Sequence, residues 1–217
     1  DFSMRLRHIA HLPRLFPAPL AVDSVVYIPR KTNWIRHRFN TCNFSFILSG
    51  GGEYRRGDTV WPVEAPCVIT QSPEHYVEYG PCGAWQWWEE FYVIYNKNKI
   101  PLLRRIGLLR PGVFAWRIKD SRPIRMQLTE IREAVRNGEE RGGADRLDRL
   151  CELLVMDGIL AETNPAPDRD EAAVLAICDH LHTHSNERHH NFNALPRQHG
   201  LSSSTSRRRS AQLIRPP

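Results

Sequence analysis

Several features that mark other classes of protein are missing from this sequence of 217 residues. No run of eighteen apolar residues occurs, so we expect no membrane-spanning helix and no membrane partner. The first twenty residues hold no continuous hydrophobic stretch of the secretion-signal type, so we expect a cytoplasmic protein. The five cysteines are scattered and include no C-x-x-C pair. This argues against a zinc finger or a disulfide scaffold and predicts reduced thiols.

Motifs for catalysis are missing as well. The sequence has no Walker loop, no dinucleotide-binding glycine fingerprint, no G-x-S-x-G elbow and no pairing of a Cys or Ser nucleophile with His. We therefore expect no enzyme activity and no cofactor. Five histidines do occur within residues 180–190, and His180 and His184 lie one helical turn apart. No acidic or cysteine ligand converges with them in the sequence, so we expect no metal site.

Positive charge is concentrated at the C-terminal end of the chain. Residues 188–217 contain six arginines and no acidic residue, which equals the whole formal net charge of +6. The preceding residues therefore balance to zero. A polyanion such as nucleic acid is the partner that this distribution favours, and a solubilising tail is the alternative.

Residues 1–120 are predicted to form short strands. Apolar runs such as SVVYI, FSFIL and FYVIY are separated by turn signals, among them the three glycines at 50–52. Strands of about five residues at a spacing near ten predict an all-β barrel or sandwich. All six tryptophans lie in this zone, the last of them, Trp116, at its edge, and we expect most of them in the core.

The apolar period changes to that of helices after residue 120. Ser121 is a plausible N-cap with Pro123 in the first turn, and Asn137-Gly138 ends this helix. A second helix follows Gly142-Gly143. Its leucines are expected on one side, and Asp145 and Asp148 largely on the other. We expect 121–161 to form an antiparallel hairpin whose apolar stripe makes a homodimer; the alternative is that the stripe only covers the barrel.

The remaining chain is predicted to form a linker and a small helical unit. Residues 162–170 contain two prolines among polar residues, which is typical of a boundary between domains. Residues 171–217 then give a helix, a short helical piece, the turn Gly200-Leu201-Ser202 and a serine- and arginine-rich segment. This is the order of a helix-turn-helix unit.

This order of parts resembles the AraC/XylS family of bacterial transcription regulators. The resemblance is carried by FSFILSGGGEY (44–54), APCVITQSPEHYVEY (65–79), WQWWEEFYVIY (85–95) and the GLS turn (200–202). It implies an α+β protein with an N-terminal cupin-like effector-binding β-barrel (1–120), a helical dimerisation hairpin (121–161), a linker (162–170) and a C-terminal helix-turn-helix (171–217).

The helix-turn-helix departs from the family pattern in its buried positions. Pro196 stands where a small alanine is expected, and Ser206 and Ser210 stand where buried leucine and phenylalanine are expected. The second unit of the family is not found after it. We therefore expect a truncated helix-turn-helix that needs DNA or a partner to fold, and whose binding to DNA is mostly electrostatic. The predicted DNA-binding residues are Ser202, Ser203, Ser204, Arg207, Arg208 and Arg209.

A small molecule is the effector that the barrel is expected to hold. Barrel mouths bind ligands where aromatic walls meet a few convergent polar groups. In the family, the matching strand carries an arginine, and the matching loop and strand carry His and Trp that touch the effector. The predicted ligand-binding residues are Arg36, His37, Arg38, Tyr54, His75, Trp85 and Trp87, with the register between Arg36 and Arg38 left open.

Three functions are compatible with these patterns. The first is an effector-responsive, dimeric transcription regulator. The second is a ligand-binding or dimerising cupin-like module whose DNA-binding part has decayed. The third is a metal-dependent cupin enzyme, for which His37, Glu53 and His75 are the nearest candidate ligands; no His-x-His pair supports it.

Overall fold

The computed structural model describes residues 7–119, 121–162, 174, 177, 194–198, 201–202 and 204–205. The chain divides into two compact units. The first comprises Asp1–Leu109 and Phe114–Asn164, and the second comprises Arg110–Val113 and Pro165–Pro217. None of the helices in the described residues combines the length and the apolar character needed to cross a bilayer.

The first unit is built on nine strands with antiparallel pairing. They are β1 (Arg7–His8), β2 (Ser24–Lys31), β3 (Ile35–Arg38), β4 (Thr41–Arg56), β5 (Thr59–Glu64), β6 (Cys67–Gln71), β7 (Tyr76–Gly80), β8 (Trp88–Asn96) and β9 (Ala115–Arg117). Their short apolar runs and turn residues were the signals on which the prediction of a strand-rich zone rested.

Strand β4 joins two groups of strands. Its first part, residues 41–50, runs between β8 and β6, and its second part, residues 51–56, runs between β5 and β7. The strand changes its pairing partners at Gly50, whose positive φ of 80° is a conformation that favours glycine. The main path of pairing is β1-β2-β8-β4-β6-β9. Among the described strands this path is open, so the sheet is not closed into a ring.

Three helices accompany the sheet in the first unit. They are α1 (Ile100–Arg105), which follows a 3₁₀ turn at Lys97–Lys99, α2 (Arg122–Arg136) and α3 (Gly143–Leu160). The predicted boundaries of α2 are confirmed, with Ser121 before it, Pro in its first turn and Asn137 after it. Ile124 and Ile131 form its buried side. Sheet and helices together confirm the predicted α+β class.

Helices α2 and α3 pack against each other, and each also touches the sheet. A Cβ on Gly158 of α3 would come within 2.8 Å of the Phe46 ring, so only glycine permits this approach. The Trp116 indole donates to the carbonyl of Gly158 at 2.8 Å. On the α2 side, Arg125 donates to the carbonyl of Leu48 at 2.8 Å. The helices therefore cover one face of the first strand group.

The two aspartates of α3 lie on its buried side, so their predicted exposure is wrong. Asp148 is fully buried, forms an ion pair with Arg14 at 2.8 Å and accepts from the Val22 amide at 2.9 Å. Asp145 accepts from the amides of Leu15 and Phe16. The two carboxylates hold the segment before β2 against the start of α3. Their partners are more than 120 residues away in sequence, which helical periodicity does not reveal.

The second unit is described at 110–113 and at a few later positions. Its helix α4 is Ala194–Gln198, and Val174, Ile177 and Leu201 are buried. The Leu201 amide donates to the carbonyl of Pro196 at 2.8 Å. The predicted linker from residue 163 to 170, Ser206 and Ser210 lie outside the described residues, and so does most of the predicted helix-turn-helix.

Candidate ligand-binding site

Side chains from both strand groups meet in an aromatic core cluster. Its fully buried members are Ile47, Tyr54, Val63, Cys67, Ile69, Val77, Tyr79 and Trp88. Three of its aromatic rings follow one another: Tyr54 lies 6.2 Å from Tyr79, and Tyr79 lies 6.2 Å from Trp88, with the last pair only 8° from parallel. Offset rings at this separation attract each other, so the cluster has a rigid aromatic wall.

A buried ion pair lies beside this wall. The Lys31 Nζ is 2.8 Å from the Glu90 Oε2, with side chains 3% and 0% exposed. The Lys31 ammonium also lies 4.3 Å from the centre of the Tyr79 ring and 5.4 Å from that of Trp88. Cation–π contacts of this kind are stronger when the groups are removed from water. We call Lys31, Tyr79, Trp88 and Glu90 the interior site.

The hydrogen bonds of Glu90 are unevenly distributed. Its Oε2 accepts from Lys31 at 2.8 Å and from the Trp88 indole at 3.1 Å. Its Oε1 is buried and has no hydrogen-bond partner among the described residues. Buried carboxylate oxygens are normally satisfied, because leaving one without a donor costs about 1–3 kcal/mol. The interior site therefore offers one unused acceptor in an apolar setting.

Strand geometry explains how these residues come together. Trp88 and Glu90 are two apart on β8, and side chains two apart lie on the same face of a strand. Lys31 is the register partner of Trp88, after an irregularity in the pairing between Ile28 and Lys31. Tyr79 of β7 completes the site. Burial and the nearby Glu90 charge raise the pKa of Tyr79 well above its ordinary value, so its hydroxyl stays protonated.

Of the predicted ligand-binding residues, Tyr54 is a member of the core cluster. It is 1% exposed, and its hydroxyl donates to the carbonyl of Thr70 at 2.9 Å. Burial raises the pKa of this phenol well above its ordinary value. Tyr54 therefore contributes a ring to the wall, while its hydroxyl is already bonded to the backbone.

The three predicted residues of β3 lie near the edge of the sheet. The Arg36 guanidinium pairs with Glu78 at 3.0 Å and is 68% exposed. Arg38 is exposed. The His37 ring is 4.9 Å from Phe39, which packs against the core cluster. Since Arg36 and His37 are neighbours on a strand, they face opposite sides of the sheet. His37 is thus on the side of the cluster, although it is itself exposed.

The other predicted residues are distributed between the rim and a loop. The His75 ring lies 5.6 Å from Phe114, which packs on the cluster. Trp85 is 45% exposed, and Trp87 stacks beneath Arg30 at 5.4 Å. Neither tryptophan is part of the core cluster. The structure therefore brings Tyr54, His37 and His75 to the cluster or its rim, and places Arg36, Arg38, Trp85 and Trp87 elsewhere.

The loop that carries Trp85 lies across the glycines of β4. A Cβ on Gly51 would come within 2.7 Å of the Trp85 Nε1 and 2.6 Å of the Val63 carbonyl oxygen. The glycine run predicted as a turn is therefore part of a strand. It has no side chains, and this lets residues 81–87 approach the strand directly in front of Trp88.

A cleft of about 240 Å³ lies on the opposite face of the sheet, beneath α2. Three of its polar residues are bonded together: the Tyr27 hydroxyl donates to Glu89 at 2.7 Å, and Arg125 pairs with the same carboxylate at 3.0 Å. Burial, followed by the hydrogen bond to Glu89, raises the pKa of Tyr27 to about 12. These contacts tie α2 to the sheet.

The predicted DNA-binding residues are described only in part. The Ser202 Oγ accepts from the Thr205 amide at 3.0 Å, which is the contact expected of an N-cap residue. Ser204 is exposed and helical. Ser203, Arg207, Arg208 and Arg209 lie outside the described residues.

No group of three His, Cys, Asp or Glu side chains in the described part of the chain could hold a metal ion. His37, Glu53 and His75 accordingly do not form such a group. The histidines at 180–190 lie outside the described residues.

Sequence reasoning missed Lys31, Tyr79, Trp88 and Glu90. A signal for two of them was present: in WWEEFYVIY, strict alternation puts Trp88 and Glu90 on one face of β8. Choosing Trp85 and Trp87 selected residues of the preceding loop instead. A shift of one residue exchanges the two faces of a strand, which is why the aromatic composition alone did not identify the site.

Comparison with known proteins gives only distant structural likenesses. No family model matches the sequence, and no curated protein matches it. Among solved structures, the crystal structure of the AraC-like transcriptional activator CuxR is similar, with a TM-score of 0.46 and 10% sequence identity. The match covers 97% of this chain and 86% of that chain. The function proposed below therefore rests on the residues of this chain.

Proposed function

We propose that this protein is a ligand-responsive transcription regulator. It binds an unidentified small molecule at the interior site, in the cupin-like part of the chain, and DNA through residues 171–217. In this proposal it acts in the cytoplasm and by binding rather than by catalysis. Its organisation follows the AraC/XylS family, which the sequence resembles.

The observation that carries the ligand half is the unused acceptor of Glu90. A fully buried carboxylate with one oxygen left without a partner is costly for a domain to keep. The Glu90 site also has the make-up of small-molecule sites, which combine apolar and aromatic walls with a few convergent polar groups. If the pair of Lys31 and Glu90 had only a structural role, donors to both oxygens of Glu90 would make it more stable.

The DNA half is supported by charge. The acid-free segment 188–217 carries the entire net charge of +6, and each arginine that neutralises a phosphate releases counterions on binding. Phosphate contacts of this kind give affinity and a strong dependence on salt. Sequence selection would come from the helix that Ser202 begins.

A homodimer is part of the proposal. Leu153, Met156 and Leu160 of α3 are 39%, 41% and 74% exposed and recur at helical spacing. They form a stripe on the side of α3 away from its buried residues. We propose that a second copy covers this stripe. Sedimentation velocity of the wild type and of Met156→Glu should show a dimer and a monomer respectively; equal sedimentation of the two would contradict the assignment.

Salt-dependent DNA binding tests the proposed function. Fluorescence anisotropy of the full chain with genomic fragments should show binding at 50 mM salt that weakens steeply at higher salt. Replacing Arg207, Arg208 and Arg209 with alanine should lower the slope of log K against log salt by up to about 2.7, since each phosphate contact contributes about 0.9.

The matched control removes the same number of positive charges elsewhere. Arg36 and Arg117 are more than half exposed, and Arg105 of α1 is exposed as well, all in the first unit. Their alanine triple variant should keep the wild-type slope. If the two triple variants lower the slope equally, DNA binding depends only on the net charge of the chain and not on the position of its arginines. Complete absence of binding would favour the second candidate, a ligand-binding module whose DNA-binding part has decayed.

A further inference from the structure

We propose that the interior site takes an uncharged small molecule that has a flat apolar ring and an O–H or N–H group, which donates to the Oε1 of Glu90. This inference rests on the ligand half of the proposed function and names the chemical class of that ligand.

Charge balance argues for a neutral ligand. Lys31 and Glu90 are both buried and neutralise each other at 2.8 Å. A carboxylate or an ammonium entering beside them would add a third buried charge that this pair cannot compensate. Desolvation makes an uncompensated buried charge strongly unfavourable. The interior site therefore selects against ions of either sign.

The hydrogen bonds define which polar group the ligand needs. Two donors of the site, the Lys31 ammonium and the Trp88 indole, both bond to Oε2. The remaining atom, Oε1, can only accept, because an ionised carboxylate carries no proton. A molecule with a hydroxyl or an N–H satisfies it, whereas a pure hydrocarbon leaves it without a partner.

The aromatic wall defines the rest of the ligand. Tyr79 and Trp88 present rings that are nearly parallel and belong to a cluster with Tyr54. A flat ring would contact such a wall over its face or edge. Trp88 and Glu90 are fully buried, so entry requires a covering segment to move. The loop 81–87, with Trp85 45% exposed, leads directly into Trp88.

A series of one-ring probes tests the proposal on the full chain. Phenol and indole are neutral donors, toluene has no donor, benzoate is an anion and benzylamine is a cation. Isothermal titration calorimetry, with tryptophan fluorescence as a second readout, should give binding of phenol and indole. Toluene, benzoate and benzylamine should each bind at least tenfold more weakly.

A double variant links this selectivity to the ion pair. Lys31→Met with Glu90→Leu replaces both charges by apolar groups of similar volume, a change that proteins often tolerate. It should bind toluene as well as phenol, within about threefold. The control is Arg36→Met with Glu78→Leu, which removes an ion pair whose Arg36 side is exposed and should keep the wild-type preference.

Several results would overturn the inference. If no probe binds, Oε1 is met by water only. Equal binding of toluene and phenol by the wild type, or tightest binding of benzoate or benzylamine, would contradict the proposed ligand class. A preference for phenol that survives in the double variant would show that Glu90 does not cause it. The wild-type series decides the matter even if the double variant does not fold. Salt-dependent DNA binding is measured separately, so a result that refutes this ligand class does not refute the proposed binding to DNA.

Discussion

Removing Lys31 should destabilise the first unit severely, because its partner cannot reach water. Glu90 is 0% exposed and Lys31 side-chain exposure is 3%. In Lys31→Met, the carboxylate of Glu90 would remain buried without its cation, and breaking a buried pair in this way costs about 3–5 kcal/mol. With a urea m-value of about 2 kcal/mol per M, this predicts a fall in the unfolding midpoint of about 2 M.

Tryptophan fluorescence is the appropriate assay, because all six tryptophans belong to the first unit. The control is Arg36→Met, which breaks a pair that is 68% and 33% exposed and should cost less than about 1 kcal/mol. Adding Glu90→Leu to Lys31→Met should recover most of the lost stability. A loss below 1 kcal/mol in Lys31→Met alone would refute the reasoning that the pair is buried and coupled.

Three further predictions concern the same unit. Burial alone would raise the pKa of Asp145, but hydrogen bonds from two backbone amides hold it below its ordinary 3.8. The carboxylate of Asp145 therefore stabilises the folded protein at neutral pH, and this contribution is lost as the pH falls below that value. Asp145→Asn should thus be less stable than wild type at pH 7, with the difference shrinking below pH 3.8 in urea titrations. Gly51→Ala should lower stability by about 1–3 kcal/mol, because the new Cβ meets the Val63 carbonyl oxygen at 2.6 Å and the Trp85 Nε1 at 2.7 Å; an unchanged melting curve would contradict the close packing around Gly51. Burial raises the pKa of Cys42 and Cys67 to about 12. Peptide mapping after iodoacetamide at pH 8 should therefore find the half-buried Cys82 labelled and these two intact; labelling of all three at equal rates would be inconsistent with the fold.

Helix α2 shows what local pattern can establish. The proline in its first turn, its buried Ile124 and Ile131, and its end at Asn137 follow from short-range rules of helix termini and period. Ser121 precedes the helix as predicted, but its side chain makes no capping hydrogen bond. The strand-rich zone was predictable for the same reason, since short apolar runs and turn residues are local signals.

The aspartates of α3 show where local pattern fails. Asp145 and Asp148 read as solvent-facing charges on a helix, yet both bind a segment near the start of the chain. A buried charge is tolerable only when a partner is present, and that partner, Arg14, is 134 residues away from Asp148. No helical period contains this information.

The interior site was not predicted from the sequence for a related reason. Lys31 and Glu90 are charged residues at strand positions, and such residues are expected at the surface unless they meet each other. Their meeting depends on the pairing of β2 with β8 and on the irregularity before Lys31. Tyr54 could be predicted as an aromatic residue of the barrel zone, whereas the ion pair required the register of two strands.

Coupling between the interior site and DNA is the most direct test of a ligand-responsive regulator. The dissociation constant of the full chain for a bound genomic fragment should be measured by anisotropy with and without saturating phenol, in the wild type and in Lys31→Met with Glu90→Leu. Linkage between two sites predicts a change of at least about fivefold in the wild type and a smaller change in the double variant, which lacks the Glu90 acceptor. A wild-type affinity for DNA that is the same with and without bound phenol would contradict the account.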